Sequence, residues 1–395
     1  MVLNQGFPDV RVCQEANALK EAGYEVWVVV SSLDTRSPEY LAADFNTILL
    51  DLSVINTFSD KLRALGYSHP ALVERLLNLP EIQQIQHRIV VVHTHDLHWC
   101  RFGWDVAQRL GAKFVADFHE NSPALPEYFG SRILSKSPKQ TVYNVFRSRF
   151  FLQYYEAWVV RRSHAVITVA PENAERLKAR HQKDEIYCVS NTKDPKTYEY
   201  MGLSENQEIT LIYHGSIQKN RGLKVLSEAF SRVDTSRMRL VILGFHPDSK
   251  DKAEVIQALG GVKPGNVDLL DWTSDFTKIK ELVRSADIGV IPHDSCELTH
   301  TTLPNKIFEY FCYGKPVIVS DVAPLKRIVE ETRSGLVFNA GDPDDLARCL
   351  SQMANKSLLH EMSRNARNAA EGAYSWQTDR AQLLNIYQEV SPLSP

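Results

Sequence analysis

A chain of 395 residues has room for two domains with separate cores, and its composition, 44% hydrophobic and 24% charged, is that of a soluble globular protein. A net charge of −3 supplies no global basic field, which argues against nucleic acid as a partner. The six scattered cysteines (Cys13, Cys100, Cys188, Cys296, Cys312 and Cys349) form no C-x-x-C pair, no apolar run nears the roughly 20 residues of a membrane helix, and Met1 leads straight into polar residues, so the expectation is a cytoplasmic protein without a disulfide framework, cysteine-zinc site or signal peptide.

Short β-branched runs alternate with helical patterns. A helix is predicted over 12–22, and strands at 26–30, 89–93, 113–117 and 165–169. The polar, turn-prone stretch Ser190-Asn191-Thr192-Lys193-Asp194-Pro195 then interrupts the series. A second series places strands at 210–213, 240–243, 267–270, 288–291 and 317–319, with helices over 223–233 and 277–284. Strands alternating with helices point to parallel sheets covered on both faces, and the run is too long for one sheet. The predicted fold class is α/β, with two Rossmann-like domains facing a cleft, one over 1–190 and one over 191–373. The segment 374–395 has helical spacing at Trp376, Leu383, Leu384 and Tyr387 and is expected to pack back on the first domain. In such sheets ligands bind beyond the carboxyl ends of the strands, so the residues just after each strand are the candidates.

In the first domain, Val92-His93-Thr94-His95-Asp96 and Ala116-Asp117-Phe118-His119-Glu120 fall at two strand ends. Alternate-residue histidines can bind a metal. An acceptor-side lining by His95, Asp96 and Glu120 is preferred to that, and simple packing is preferred to both. His119 suits either a hydrogen bond to substrate or a structural role. The stretch 131–162 is basic and aromatic. Arg132, Lys136, Lys139, Arg147, Arg149, Arg161 and Arg162 outnumber one acid, Glu156, with Phe146, Phe150, Phe151, Tyr154, Tyr155 and Trp158 interleaved. It reads either as a core helix with a solvated basic side or as a surface that docks on anionic lipid.

In the second domain, Tyr213-His214-Gly215-Ser216 ends the first strand and Lys219-Asn220-Arg221-Gly222 follows. Gly215 lets a backbone approach closely. Arg221, near a helix start, offers the donor fork that suits a diphosphate, with a solvated basic loop as the alternative. Leu269-Leu270-Asp271-Trp272 ends another strand, where Trp272 is either the wall of a base site or a core residue. Glu297-Leu298-Thr299-His300-Thr301-Thr302 runs into Leu303-Pro304-Asn305-Lys306-Ile307-Phe308-Glu309-Tyr310, closed by Gly314-Lys315-Pro316. Pro304 favours a helix start, and Gly314 with Pro316 stops it. Lys306 and Glu309, three apart, share one side of that helix. A helix N-terminus with an added ammonium attracts phosphate, and a carboxylate one turn deeper can accept two ribose hydroxyls. A surface Lys–Glu pair is the competing reading. Asp342-Pro343-Asp344 has the spacing of a D-x-D metal site but reads better as a helix N-terminus with acidic first-turn residues, so no metal ligand is assigned.

The order and spacing of these segments resemble the GT-B glycosyltransferases, in particular the glycosyltransferase family 4-like group. In the second half the likeness rests on Arg221-Gly222-Leu223, on Ala286-Asp287-Ile288-Gly289-Val290-Ile291-Pro292 and on the block from Leu303 through Asp321. In the first half it rests on Asp9-Val10-Arg11, Glu15-Ala16, Gly23-Tyr24-Glu25-Val26 and Ala116 through Glu120. It covers nearly the whole chain. The resemblance implies that Glu309 holds the donor ribose, that Arg221 grips the diphosphate with Lys306 beside it, and that Thr301, Thr302, Leu303, Pro304 and Asn305 give main-chain contacts to the phosphates. Gly215, Ser216 and Trp272 would complete the donor side. His119 would lie beside the donor sugar, and Gly6 in the loop that approaches sugar and acceptor. Three departures stand out. Thr301 occupies the first position of the group's glutamate pair, Ser216 replaces a basic residue, and residues 1–4 leave only a stub for the first strand.

The resemblance implies transfer of a hexose-type sugar from a nucleoside-diphosphate sugar to a glycan, lipid-linked or small-molecule acceptor. Retention of configuration and no metal or other cofactor are expected, with His119, Arg221 and Lys306 catalytic. Work in the cytoplasm or at the inner face of a membrane, through 131–162, would follow. Charge builds on the departing diphosphate, and fixed cations aimed there stabilise that change. Two alternatives use the same scaffold: a non-catalytic sugar-nucleotide binding protein, favoured by Thr301 and the short N-terminus, and a sugar-nucleotide epimerase.

Overall fold

The computed structural model describes residues 1–7, 9–33, 45–54, 64–130, 133–134, 137–200, 202–203, 208–246, 250–260, 262 and 264–392. The chain forms two compact units, Met1–Ser190 with Arg380–Pro395, and Asn191–Asp379.

The first unit holds seven strands: β1 Val2–Phe7, β2 Trp27–Leu33, β3 Asn46–Leu49, β4 Val91–His95, β5 Lys113–Phe118, β6 Ala165–Thr168 and β7 Ile186–Cys188. All pair in parallel, in the order β3-β2-β1-β4-β5-β6-β7. Their inner residues (Val28–Val30, Val91, Val92, Phe114–Ala116, Ala165–Ile167) are buried on both faces, as apolar runs in a helix-covered parallel sheet must be. The expected stub at the N-terminus is instead a full six-residue strand next to the centre of the sheet. Its polar Asn4-Gln5-Gly6 hides it from an apolar pattern. Helix Val10–Glu21 follows. Asp9 caps it, accepting from the Arg11 and Val12 amides at 2.9 and 3.2 Å. It buries Val12, Cys13, Ala16 and Leu19, and also two charged residues, Arg11 and Glu15. Helix Trp376–Val390 joins this unit from Arg380 onward. Leu383, Ile386 and Tyr387 are buried, and the Tyr24 hydroxyl donates to Ser391 O at 2.9 Å.

The second unit is a six-stranded parallel sheet: β8 Ile209–His214, β9 Met238–Phe245, β10 Val267–Asp271, β11 Ile288–Ile291, β12 Val317–Ser320 and β13 Gly335–Phe338, in the order β10-β9-β8-β11-β12-β13. Each sheet reverses its winding once, between β1 and β4 in the first and between β8 and β11 in the second. A crevice opens beyond the strand ends at such a reversal.

Candidate functional site

In the second unit, the residues after β8 and β11 converge at the reversal. At the end of β8, Gly215 has φ 119°, a backbone conformation that suits glycine, and a Cβ there would press on Lys306 Nζ at 3.2 Å. Gly222, also left-handed at φ 68°, passes so close to the Pro292 carbonyl after β11 that any Cβ would collide with it. Arg221 is thereby held against His293, its Nη1 3.2 Å from His293 Nε2, while its buried Nε has no hydrogen-bond partner among the described residues. Burial, with Lys306 and Arg221 nearby, holds the His293 imidazole well below its usual pKa, so it stands neutral and leaves the guanidinium charge uncancelled.

Helix Lys306–Cys312 supplies the other charges. It turns Ile307, Phe308, Tyr310, Phe311 and Cys312 into the core, with the Tyr310 hydroxyl donating to Ile212 O at 3.2 Å. That packing leaves Lys306 and Glu309 on the less buried side, as their spacing predicts. Lys306 Nζ sits 3.9 Å from the centroid of the Tyr213 ring. No carboxylate among the described residues lies within ion-pair distance of Lys306 or Arg221. Burial first, then the Arg221 charge, pushes the ammonium well below its usual pKa, with Glu309 opposing. Glu309 Oε2 lies 3.4 Å from His214 Nε2 at the end of β8. Burial lowers the His214 pKa to about 3, so this imidazole is neutral, and burial raises the Glu309 pKa.

The approach to this helix departs from expectation. The helix starts at Lys306 with Asn305 as N-cap, so Pro304 stands one residue outside it. The Ile307, Phe308 and Glu309 amides donate to the Pro304 and Asn305 carbonyls, and so are satisfied within the protein. Thr301 ends a short helix, Glu297–Thr301, and its hydroxyl donates back to Glu297 O at 2.7 Å. The Thr302 hydroxyl is buried with no hydrogen-bond partner among the described residues, and Leu303 is buried. Ser216 is exposed at the side-chain level, and its carbonyl accepts from the Tyr213 hydroxyl at 3.1 Å. Trp272, just past β10, is 58% exposed, which removes the core-packing reading. Asp342 caps helix Pro343–Gln352, accepting from the Asp344 and Asp345 amides at 2.9 and 3.1 Å, which accounts for the D-x-D spacing without a metal.

In the first unit, β4 and β5 bring the histidines together. His119, just after β5, has Nε2 2.9 Å from His95 Nδ1 and Nδ1 3.6 Å from Asp96 Oδ1. His95, expected on the acceptor side, is wholly enclosed and faces His119 and, at 3.3 Å, Asp117 Oδ2. Asp96 adopts φ 64°, costly for a non-glycine residue, directly after the strand. Glu120 follows His119 and is partly buried. Gly6 pairs in register with Ser32 at the end of β1, in a strand rather than a loop. The sequence reading missed Arg11. Its guanidinium donates three times to Asp117, at 2.8–3.1 Å, and to the Val189 carbonyl at 2.9 Å, so Asp117 stays ionised far below the usual carboxylate range. The signal was available in the buried face of its helix, where an arginine and a glutamate sit one turn apart.

Residues Ser131, Arg132, Ser135 and Lys136 lie outside the described residues. Beyond them, helices Pro138–Phe146 and Arg149–Val160 divide the basic stretch. The second helix buries Leu152, Tyr155, Glu156, Val159 and Val160; the first buries none of its residues. Glu156 is turned inward onto Arg176 at 2.7 Å and His181 at 3.1 Å, which takes the stretch's lone acid off the surface. Leu134, Phe150 and Tyr154 are 83%, 80% and 71% exposed, with Val142 and Val145 also outward.

Comparison with known proteins agrees with this architecture. A model described as Glycosyltransferase Family 4 matches residues 9–196, and one described as Glycosyl transferases group 1 matches residues 208–356. An uncharacterized glycosyltransferase of Methanocaldococcus jannaschii is 25% identical over 186 residues, 47% of this chain and 46% of that protein. A phosphatidyl-myo-inositol mannosyltransferase of Mycobacterium leprae is 25% identical over 185 residues, 46% of this chain and 47% of that protein. The match spans about half the length of these curated relatives. Among solved structures, sucrose-phosphate synthase from Thermosynechococcus elongatus superposes with a TM-score of 0.73 at 17% identity over 98% of each chain. Anabaena HepE in complex with UDP-glucose does so with a TM-score of 0.70 at 14% identity over 98% of each chain. By both family models and by fold, the chain belongs to the glycosyltransferase family 4-like group of the GT-B glycosyltransferases.

Proposed function

We propose that this protein transfers a hexose-type sugar from a nucleoside-diphosphate sugar to a glycan, lipid-linked or small-molecule acceptor, with retention of configuration. The observation that carries the reading is the pair of cations, Arg221 and Lys306, set at the winding reversal of the second sheet with no carboxylate at ion-pair distance among the described residues, and with Glu309 on the same helix as Lys306. A leaving diphosphate supplies the missing negative charge. Because that charge grows as the glycosidic bond breaks, the cations stabilise the transition state more than the bound donor, and the departure needs no metal. Glu309 accepts the ribose hydroxyls. His119 contacts the sugar at the reacting face, with Gly6, Asp96 and Glu120 toward the acceptor. The amides and hydroxyl of 301–305, with Thr302 foremost, together with Gly215, Ser216 and Trp272, line the donor.

The test is a titration with UDP, GDP and their sugar conjugates, UDP-glucose first because a related fold holds it, followed by product analysis on an acceptor panel. Micromolar nucleotide binding with sugar transfer supports the reading; no nucleotide binding overturns it. The Thr301 hydroxyl turned into its own helix favours a second reading, a non-catalytic sugar-nucleotide binding protein, because a carboxylate that would touch the sugar is missing there. Tight binding without turnover on any acceptor selects that reading, and sugar isomerisation without acceptor selects an epimerase.

The outward apolar residues Leu134, Phe150 and Tyr154, with the exposed Lys139 and Arg147 in the same stretch and Glu156 turned inward, support docking on an anionic lipid surface. Flotation with acidic but not neutral vesicles is expected. Absence of binding at every salt concentration removes the membrane role.

A further inference from the structure

Behind His119, the first unit encloses Glu15 from helix Val10–Glu21, His93 and His95 from β4, and Asp117 from β5. None is more than 1% exposed. One ligand atom from each lies within 4.8 Å of all the others. Glu15 Oε2 stands 3.9 Å from His93 Nε2 and 4.0 Å from His95 Nε2, and Asp117 Oδ2 is 3.7 Å from His93 Nε2. Both oxygens of Glu15 and the Nε2 atoms of both histidines are buried without a hydrogen-bond partner among the described residues. An orphaned buried polar atom costs about 1–3 kcal/mol, so four on three adjoining side chains call for an occupant.

The other nitrogen of each imidazole is already engaged. His93 Nδ1 lies 2.9 Å from the Tyr387 hydroxyl, and His95 Nδ1 lies 2.9 Å from His119 Nε2. Histidines that bind a metal through one nitrogen are oriented in this way through the second. The charges point the same way. Two carboxylates face one guanidinium: Arg11 hydrogen-bonds Asp117 and approaches Glu15 Oε1 at 3.0 Å without satisfying it. Burial keeps both imidazoles in the neutral form that ligates. A buried water would meet the hydrogen bonds but not the surplus negative charge. Burial raises the Glu15 pKa well above the usual carboxylate range, and Asp117 can share the proton taken up; that proton still leaves both imidazole Nε2 atoms, 3.9–4.0 Å away, unanswered. A divalent cation answers both. Tetrahedral bonds of about 2.0–2.1 Å set ligand atoms roughly 3.4 Å apart, so the three spacings of 3.7–4.0 Å need close by about 0.3–0.6 Å and no pair of the set by more than about 1.4 Å.

We propose that Glu15, His93, His95 and Asp117 form a closed structural site for one divalent transition-metal ion of the zinc class. Two imidazoles and two carboxylates suit that class. Four protein ligands leave no position open to a substrate, so the ion ties the first helix to β4 and β5 and fixes the ring of His95 against His119. It takes no part in the transfer chemistry, and the site stands whether or not the proposed reaction does.

The experiment is to unfold the purified 395-residue chain with a chelator and refold it with Zn²⁺ or without. One zinc per chain retained through gel filtration, with a thermal midpoint about 5–15 °C above the metal-free protein, is the expected result. Glu15→Gln keeps the shape but removes an anionic ligand. It should lose the zinc and the zinc-dependent shift, while its metal-free form melts no lower than the metal-free parent. His93→Gln is the second variant and should lose both as well. Should either variant fail to fold, refolding the parent with Co²⁺ decides: intense tetrahedral d–d bands support the site, and their absence overturns it. Failure of the parent to retain zinc, with an unchanged midpoint, overturns the proposal, as does full zinc retention in both variants.

Discussion

The two units carry their charged centres differently. In the first, Arg11 and Asp117 are sealed and answer one another directly, in bonds of 2.8–3.1 Å. In the second, Arg221 and Lys306 have no carboxylate at ion-pair distance among the described residues, and the histidines beside them are held neutral by burial. A pair closed upon itself holds a structure together. A pair of cations left open holds a place for an anion, at some cost to the stability of the unliganded protein. This contrast is why both centres have perturbed titration while only the second has the form of a site for a substrate anion.

Breaking the closed centre should have the largest effect. Arg11→Met leaves the buried Asp117 carboxylate without its guanidinium partner, and we expect a loss of about 3–5 kcal/mol in denaturant unfolding. A loss under 1 kcal/mol would mean the network is not a stability element. Next comes the open centre: Arg221→Ala should cost about 2.7–4 kcal/mol of transition-state stabilisation, read as a fall in kcat larger than any rise in KM, with unfolding nearly unchanged. Equal losses in stability and rate would erase the distinction between the units. Glu309→Ala should weaken nucleoside diphosphate binding by about 1.5–3 kcal/mol in titration calorimetry, and unchanged affinity would remove Glu309 from the ribose.

The smallest effect is a proton. In the free protein, burial and Arg221 hold the Lys306 pKa well down; a diphosphate set against it raises that pKa again. Below the free-state pKa the ammonium is charged both free and bound, and affinity is flat. As pH rises through the window between the free and bound values, binding must take up a proton and affinity falls, by at most about tenfold per pH unit. Calorimetry in two buffers of different ionisation heat should show that uptake. Zero uptake at every pH would place the phosphates away from Lys306.

Much of the architecture could be read in the chain. Most strands that sequence found have apolar runs covered on both faces, such as Ala165–Thr168 and Ile288–Ile291, while β10 is only partly buried. Those it missed are short or polar: β3, β7 and β13 have three or four residues each, and β1 carries Asn4-Gln5-Gly6. The side shared by Lys306 and Glu309 followed from helical spacing alone. The placements of Thr301 and His95 did not, because the first depends on a hydroxyl choosing its own helix's carbonyl and the second on which neighbours enclose a strand end.

The sequence by itself determined the alternation of strands and helices, the break near residue 190 and the order of chemical groups along the chain, since periodicity and turn chemistry are local properties. Only the tertiary structure decided that Arg11, His93, His95 and Asp117 share one sealed space while Arg221 and Lys306 stand uncompensated. Burial and distance between residues remote in sequence fix charge state, and no local pattern encodes them.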